Sequence, residues 1–309
     1  MKIYFELENI DPEIEETSIA LGTFDGLHIG HMEIIEYIKE AAVEKGLKTF
    51  VYTFSNHPRE ILTPDNVPSK IMDVDEKVQI FTRADIDYLA LVRFDEYQLG
   101  VEPEDFIKDV LIDKMNMRHL TVGYDYRFGK KARGDVKMLM DFAPIFGYTF
   151  EIVQPIMKNE VRVSSSLIRE LLRNGQIEEA NFFLGRRHFV KGCVVKGKGM
   201  GKGMGIPTAN LRIKENISTI KPGVYITETI WKGRAYHSAT NVGFNPTFEQ
   251  TGIHMETYML GIDEPLYGET IEVHFIKRIR DELKFSSIPE LVKAMENDIQ
   301  QMKLYFSLL

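Results

Sequence analysis

The stretch SIALGTFDGLHIGHMEIIEYIKEAA, residues 18–42, runs from a short apolar segment through a turn rich in glycine and histidine into a helical pattern. In the helical part Ile34, Ile35, Ile38, Ala41 and Ala42 fall on one side, while Glu33, Glu36, Lys39 and Glu40 fall largely on the other. The helix should therefore begin near Gly30 and His31. Strand, glycine turn and helix start, in that order, make an anion site: glycine lets the backbone approach a phosphate, and the first N–H groups of a helix point outward unpaired. Gly22, Phe24, Asp25 and Gly30 build this turn. His28 and His31 lie about one helical turn apart, so both rings can address one triphosphate and offset charge growing on a leaving group. A glycine turn or a histidine alone reads as structural; the joint order reads as nucleotide chemistry.

Outward from this turn, KTFVYTF (48–54), YLALVRF (88–94), HLTVGY (119–124) and YTFEIV (148–153) read as strands, with a helical PEDFIKDVLIDKM (103–115) among them. That alternation predicts a parallel sheet with helices on both faces. Two helical stretches, SSLIRELLRNG (165–175) and IEEANFFLG (177–185), follow, and near Gly185 to Arg187 the pattern changes character. We divide the chain there, into 1–185 and 186–309. Beyond it FVKGCVVKG, IPTANLRI, GVYITETIW, RAYHSATNV, HMETYML and ETIEVHFI are strand-like with turn chemistry between them and no helices, which predicts a small antiparallel barrel. The last segment, 286–306, carries an apolar stripe of Leu291, Val292, Met295, Ile299 and Met302, with Ser287 and Glu290 spaced as a capping box and Pro289 in the first turn. It should pack on the barrel.

Thirty-eight basic and 46 acidic residues leave a formal net charge of -8, so nothing in the overall charge favours a nucleic-acid partner. A single cysteine, Cys193, excludes an internal disulfide framework and a multi-cysteine zinc site, and reads as a small hydrophobe buried in an apolar strand. The acidic start lacks the order of a signal peptide, and no apolar run approaches the roughly 20 residues that cross a bilayer. These features predict a cytoplasmic chain without membrane contact, acting on small molecules as a monomer or weak homo-oligomer.

The sequence GTFDGLHIGH resembles the HIGH-motif nucleotidyltransferase superfamily, and specifically its flavin-adenylylating branch. Class I aminoacyl-tRNA synthetases share the core motif; net acidity and the character of the second domain disfavour them. Three later segments support the flavin branch: YTFSNHPRE (52–60), VGYDYRFGKKARGD (122–135) and VRVSSSLIRELL (161–172). The resemblance implies a Rossmann-like domain with flavin and adenine contacts from Phe54, His57, Arg59, Asp125 and Phe128. It implies phosphate contacts from Arg162, Ser164, Ser165, Ser166 and Arg169, a role the guanidinium fork suits. Phe54 and Tyr126 could equally be core residues, and Ser164 could be an N-cap with the arginines on a solvated face. Asn56 stands where the family often has proline, and Ser166 where it usually has threonine.

The glycine-rich stretch from Gly192 to Gly205 is not a P-loop, because Gly192–Lys198 is followed by Gly199 where Ser or Thr is required. Gly197, Gly199 and Gly201 read as a flap over ATP phosphates or as a plain flexible hairpin. PTAN at 207–210 favours the flap, since Thr208 and Asn210, if extended, face one way and can approach Mg²⁺ and its phosphates together. GMGIPTANL resembles the riboflavin kinase family, and the match continues through KPGVY (221–225), NVGFNPTF (241–248), METYML (255–260), LYGE (266–269) and IRDELKF (279–285). It implies Glu256 as the base for the attacking hydroxyl and Arg280 as a flavin-side contact; Glu269 and Glu272 are nearby carboxylates, and Arg280 could instead pair with Asp281 or Glu282. Together the two resemblances span nearly the whole chain and imply the prokaryotic bifunctional riboflavin kinase/FMN adenylyltransferase family. Its expected chemistry is riboflavin and ATP to FMN and ADP, then FMN and ATP to FAD and pyrophosphate, with Mg²⁺. A chain retaining one activity, or one that only carries flavin, is the alternative.

Overall fold

Six strands form one sheet in the order β1-β4-β3-β2-β5-β8, every ladder parallel: β1 (Lys2–Tyr4), β2 (Thr17–Leu21), β3 (Lys48–Phe54), β4 (Tyr88–Val92), β5 (Met117–Gly123) and β8 (Thr149–Val153). This computed structural model describes residues 1–197, 205–213, 220–244 and 253–307. It divides into two units, Met1–Lys70 with Val74–Ser164, and Ile71–Asp73 with Ser165–Leu309.

The sheet belongs to the first unit. Every residue of β2 is buried, as a strand covered on both faces requires. From β2 the chain winds through β3 and β4 to one side, then crosses to β5 and β8 on the other. Its direction of winding thus reverses between β2 and β5, and the crevice at their carboxyl ends is the general ligand position of such sheets. Helix α1 (Ile29–Lys45) buries Ile34, Ile35, Ile38, Ala41 and Ala42, the predicted face, and ends on Gly46 in the left-handed region. Ile19 and Leu21 join Phe106, Ile107, Leu111 and Leu139 in one core cluster. Two small hairpins, β6 (Arg127–Phe128) with β7 (Gly134–Asp135) and β9 (Met157–Lys158) with β10 (Val161–Arg162), decorate this unit. Strand β1 and the helices α2 (Arg59–Leu62) and α3 (Val74–Arg83) are additions to the predicted elements.

In the second unit, two helices, Ser165–Asn174 and Ile177–Leu184, precede a closed antiparallel barrel, β11-β12-β15-β14-β13-β16. The strands are β11 (Phe189–Val195), β12 (Ala209–Ile213), β13 (Gly223–Trp231), β14 (Arg234–Phe244), β15 (Ile253–Met259) and β16 (Thr270–Arg280), the six predicted segments. Thr227, Thr229, Ser238, Thr240 and Thr257 are buried and bond to one another at 2.8–3.0 Å, so the hydroxyls satisfy each other. The final described helix, Ile288–Ser307, docks Met302, Ile299, Tyr305 and Phe306 on Ile226, Ala239 and Ile276 of the barrel, as expected. Two expectations need correction. Glu290 takes the backbone N–H and hydroxyl of Ser286 (3.2 and 2.8 Å), one residue earlier than the capping box anticipated. Cys193 is exposed: on β11 the inward positions are Gly192 and Val194, and the strand's two-residue period turns the cysteine out.

Candidate functional sites

The first site sits where β2 meets α1. His28 is the N-cap of α1, extended at φ -72° and ψ 171°, and its Nδ1 accepts from the His31 N–H at 3.3 Å. The rings stack with centroids 3.7 Å apart and planes 16° from parallel, which brings both predicted histidines together at the helix start. Phe24 is buried; its ring meets His31 and Phe81 edge-on, and its backbone is left-handed at φ 46°. Gly22 lies against that ring, where a Cβ would fall 3.0 Å from it. Asp25 is buried, and Gly30 opens the first turn of α1.

Asp125 and Arg162 form an ion pair at 2.9 Å, with the guanidinium over the Tyr124 ring. Asp125 follows the end of β5, so the switch-point crevice is flanked by predicted residues from both strands. Phe54 packs edge-on against Phe94 and Tyr52. The His57 Nδ1 accepts the Arg59 N–H at 3.1 Å, and the Arg59 side chain is exposed. Phe128 is buried in the core cluster between Phe106 and Tyr126. Ser164 closes the first unit, whereas Ser165, Ser166 and the buried Arg169 belong to the second, on the helix Ser165–Asn174.

Sequence reasoning passed over Lys77. It is buried on α3, and its Nζ donates to the Thr23 carbonyl at 2.8 Å, the Phe54 carbonyl at 3.1 Å and the Thr53 hydroxyl at 3.4 Å. Burial pulls this ammonium down to about 8, against the opposing pull of Asp25. Asn56 clamps the neighbouring strand: its Oδ1 accepts the Phe94 N–H at 2.7 Å and its Nδ2 donates to the Phe94 carbonyl at 2.9 Å.

The second site is a cavity of about 440 Å³ in the barrel unit, with Thr208, Asn210, Glu256 and Arg280 in its wall. Asn210 on β12 and Glu256 on β15 are direct cross-strand partners, with Asn241 opposite Glu256 on its other side. Asn210 is 8% exposed and its Oδ1 has no partner among the described residues. An unmade bond at a buried oxygen is costly, so this acceptor suits a ligand. Gly197 makes room for it, since a Cβ there would fall 2.4 Å from the Asn210 amide. Gly199 and Gly201, like most of the predicted flap and part of NVGFNPTF, lie outside the described residues.

Glu256 Oε1 lies 2.7 Å from His254 Nε2 on the same face of β15, a neighbour that motif reading did not consider. Arg280 pairs with neither Asp281 nor Glu282 through their carboxylates in the way anticipated. Its Nε and Nη2 grip both oxygens of Asp298 at 2.9 and 2.7 Å, while Nη1 donates to the Asp281 carbonyl. Asp298 is buried on the final helix, which therefore helps build the cavity. Its sequence signal, one acid among several on an amphipathic helix, is indistinguishable from a solvated face.

Comparison with known proteins matches residues 10–167 to the FAD synthetase family model and residues 184–306 to that of riboflavin kinase. The chain is 34% identical to the bifunctional riboflavin kinase/FMN adenylyltransferase of Bacillus subtilis (strain 168), over 96% of this chain and 95% of that protein. It is 29% identical to the protein of that name from Haemophilus influenzae, over 99% and 100%. A solved structure titled a macrolide-efflux protein from Streptococcus pneumoniae superposes with a TM-score of 0.87 at 28% identity, covering 97% of this chain and 98% of that one. Among the described residues no helix is long and apolar enough to cross a membrane.

Proposed function

The chain belongs to the bifunctional riboflavin kinase/FMN adenylyltransferase family, and from that premise we propose which residues of each unit carry the two reactions. The family's chemistry converts riboflavin and ATP to FMN and ADP, then FMN and ATP to FAD and pyrophosphate. The division of labour falls near Gly185, a reading supported by family matches that end at 167 and resume at 184.

In the first unit the FMN phosphate attacks the α-phosphorus of ATP in line, and pyrophosphate leaves. His28 and His31 take up the leaving charge beside the N–H groups that open α1, with Gly22, Phe24, Asp25 and Gly30 shaping the turn. Arg162 and Ser164 are phosphate contacts; Phe54, His57, Arg59, Asp125 and Phe128 serve the flavin side. No covalent enzyme intermediate is needed. In the second unit Glu256 accepts the proton of the riboflavin 5′-hydroxyl as its oxygen attacks the γ-phosphorus. Positioning does most of the work in such transfers, and Arg280, fixed by Asp298, orients the flavin.

The observation that carries the kinase assignment is the buried Asn210 Oδ1, unpartnered among the described residues and directly across from Glu256. A hard oxygen donor in the same cavity wall as Thr208 fits Mg²⁺, which would neutralise phosphate charge during transfer. The working context is cytoplasmic, with small-molecule substrates, no nucleic acid, and a monomer or weak homo-oligomer; the net charge of -8 supports the absence of a nucleic-acid partner. The test is a time course of FMN and FAD from riboflavin, ATP and Mg²⁺. His28→Ala with His31→Ala should make FMN and no FAD, while Glu256→Ala should make FAD only from supplied FMN. If either variant lost both reactions while folded, the assignment of chemistry to units would be wrong.

A further inference from the structure

The geometry points to Lys77 as a positioning residue for adenylyl transfer, which joins the nucleotide turn to the end of the strand that leads into the flavin segment; this rests on the adenylyl-transfer reading of the first unit. Its ammonium spends all three donors locally. Two go to main-chain carbonyls, Thr23 in the GTFDG turn and Phe54 in YTFSNHP, and the third meets the Thr53 hydroxyl. Thr53 in turn donates to the same Thr23 carbonyl at 3.1 Å. Lys77 reaches no substrate-facing atom by these contacts, so its effect passes through the backbone.

Burying an ammonium carries a desolvation cost, and an apolar side chain of similar volume serves a packing role as well or better. What an apolar chain cannot do is hold two carbonyls from different segments at one point. The turn needs such a hold. Phe24 and Leu27 adopt the left-handed region at φ 46° and 40°, a conformation costly for residues with a Cβ and stable only when its surroundings enforce it. Thr23 stands at the head of that turn and His28 caps α1 at its foot, so slack at the Thr23 carbonyl displaces both stacked histidines and the helix N–H groups together. On the other side, Phe54 is two residues from Asn56 and three from His57, so the same ammonium also sets where the flavin segment begins. The active geometry of one reaction thus depends on a side chain that contacts neither reactant.

The full-length chain supplies its own control, because riboflavin phosphorylation belongs to the other unit. Lys77→Met and Lys77→Arg should be compared with the parent in single turnovers of FMN, with ATP and enzyme in excess. Lys77→Met should slow FAD formation roughly a hundredfold, the usual consequence of displacing reacting groups by about an ångström. Riboflavin phosphorylation should stay within twofold. Lys77→Arg, which keeps donors for both carbonyls, should recover at least tenfold of the loss. A Lys77→Met rate within threefold of the parent overturns the inference, as does a loss that added enzyme makes good, since that is a loss of folded sites. Arginine performing no better than methionine overturns it too. Should Lys77→Met not fold, Thr53→Val, which removes the second bond to Thr23, is read in its place: a severalfold slower single turnover supports the inference and a parental rate defeats it. A parent that makes FMN and no FAD would overturn the reading of the first unit and this inference with it, whereas a normal parent beside a normal Lys77→Met overturns the inference alone.

Discussion

A proline before His57 would bend the chain by restricting backbone torsions; Asn56 reaches a similar end with two hydrogen bonds to the backbone of Phe94. Its amide acts as one more rung of the ladder between β3 and β4 and holds Phe54 against Phe94. Asn56→Ala should leave the Phe94 N–H and carbonyl unpaired and cost about 2 kcal/mol, read as a lower thermal transition of the first unit with riboflavin phosphorylation untouched. Asn56→Pro should not restore it, because the ring supplies neither bond; parental stability in both variants would show that the clamp carries nothing. The departure from the family pattern was legible in the sequence, but its compensation was not, since the partner lies 38 residues away and offers only main chain. Other residues divide the same way. His28, His31 and Asn210 could be singled out by residue type and spacing and Glu256 through the resemblance alone, and the fold brings the two histidines together and sets Asn210 opposite Glu256. Lys77 and Asp298 could not be, because a charged residue on an amphipathic helix looks solvated until its tertiary neighbour is known.

At the level of elements, the final helix shows how a packing segment acquires a share in a site. Its apolar stripe predicted docking, and Met302 and Ile299 do dock. The same helix also brings the buried carboxylate of Asp298 to Arg280, in a two-point grip that fixes the guanidinium plane. Breaking one side of such a pair is worse than never having it, because the remaining charge is left in a poorly solvated place. Asp298→Ala should therefore destabilise the barrel by about 3 kcal/mol. It should also raise the KM for riboflavin, with the conversion of supplied FMN to FAD unaffected; an unchanged KM would remove Arg280 from the flavin side. Elements with a sustained period, such as α1 and the six barrel strands, could be read from sequence. The three-residue β1, the short α2 and the closing order of the barrel could not, because they depend on pairing between distant segments.

At the scale of the whole molecule, two buried histidines among the described residues, His119 in the first unit and His188 in the second, tie stability to acid because burial holds them neutral. His119 on β5 lies between the hydroxyls of Thr149 and Thr121, and burial, helped by Lys45, lowers it to about 4. His188 is buried against Phe275; its Nε2 has no partner among the described residues, and burial, then Arg186 and His274, lower it to about 3. In the unfolded chain both would titrate near 6.5. Between that value and the folded ones the unfolded state binds more protons, so the stability these rings provide is complete above pH 6.5 and is lost as the pH falls toward 4 and then 3. The contributions amount to a few kcal/mol, smaller for the less deeply buried His119, and count beside the marginal stability of a domain. Both unfolding transitions should therefore fall steeply below pH 6. His119→Asn should flatten the fall for the first unit and His188→Gln for the barrel, each leaving the other's slope intact, as followed by calorimetry from pH 7 to 4. Lys77 acts in the same sense on the alkaline side: its folded value of about 8 lies below its unfolded one, so the cost of burying its charge is relieved as the pH rises from 8 toward 10.5. The first unit should hence gain stability over the range in which Lys77 gives up its proton, and Lys77→Met should abolish that gain. A transition temperature of the parent that does not rise relative to Lys77→Met between pH 8 and 10 would show that Lys77 is not buried as an ammonium at neutral pH.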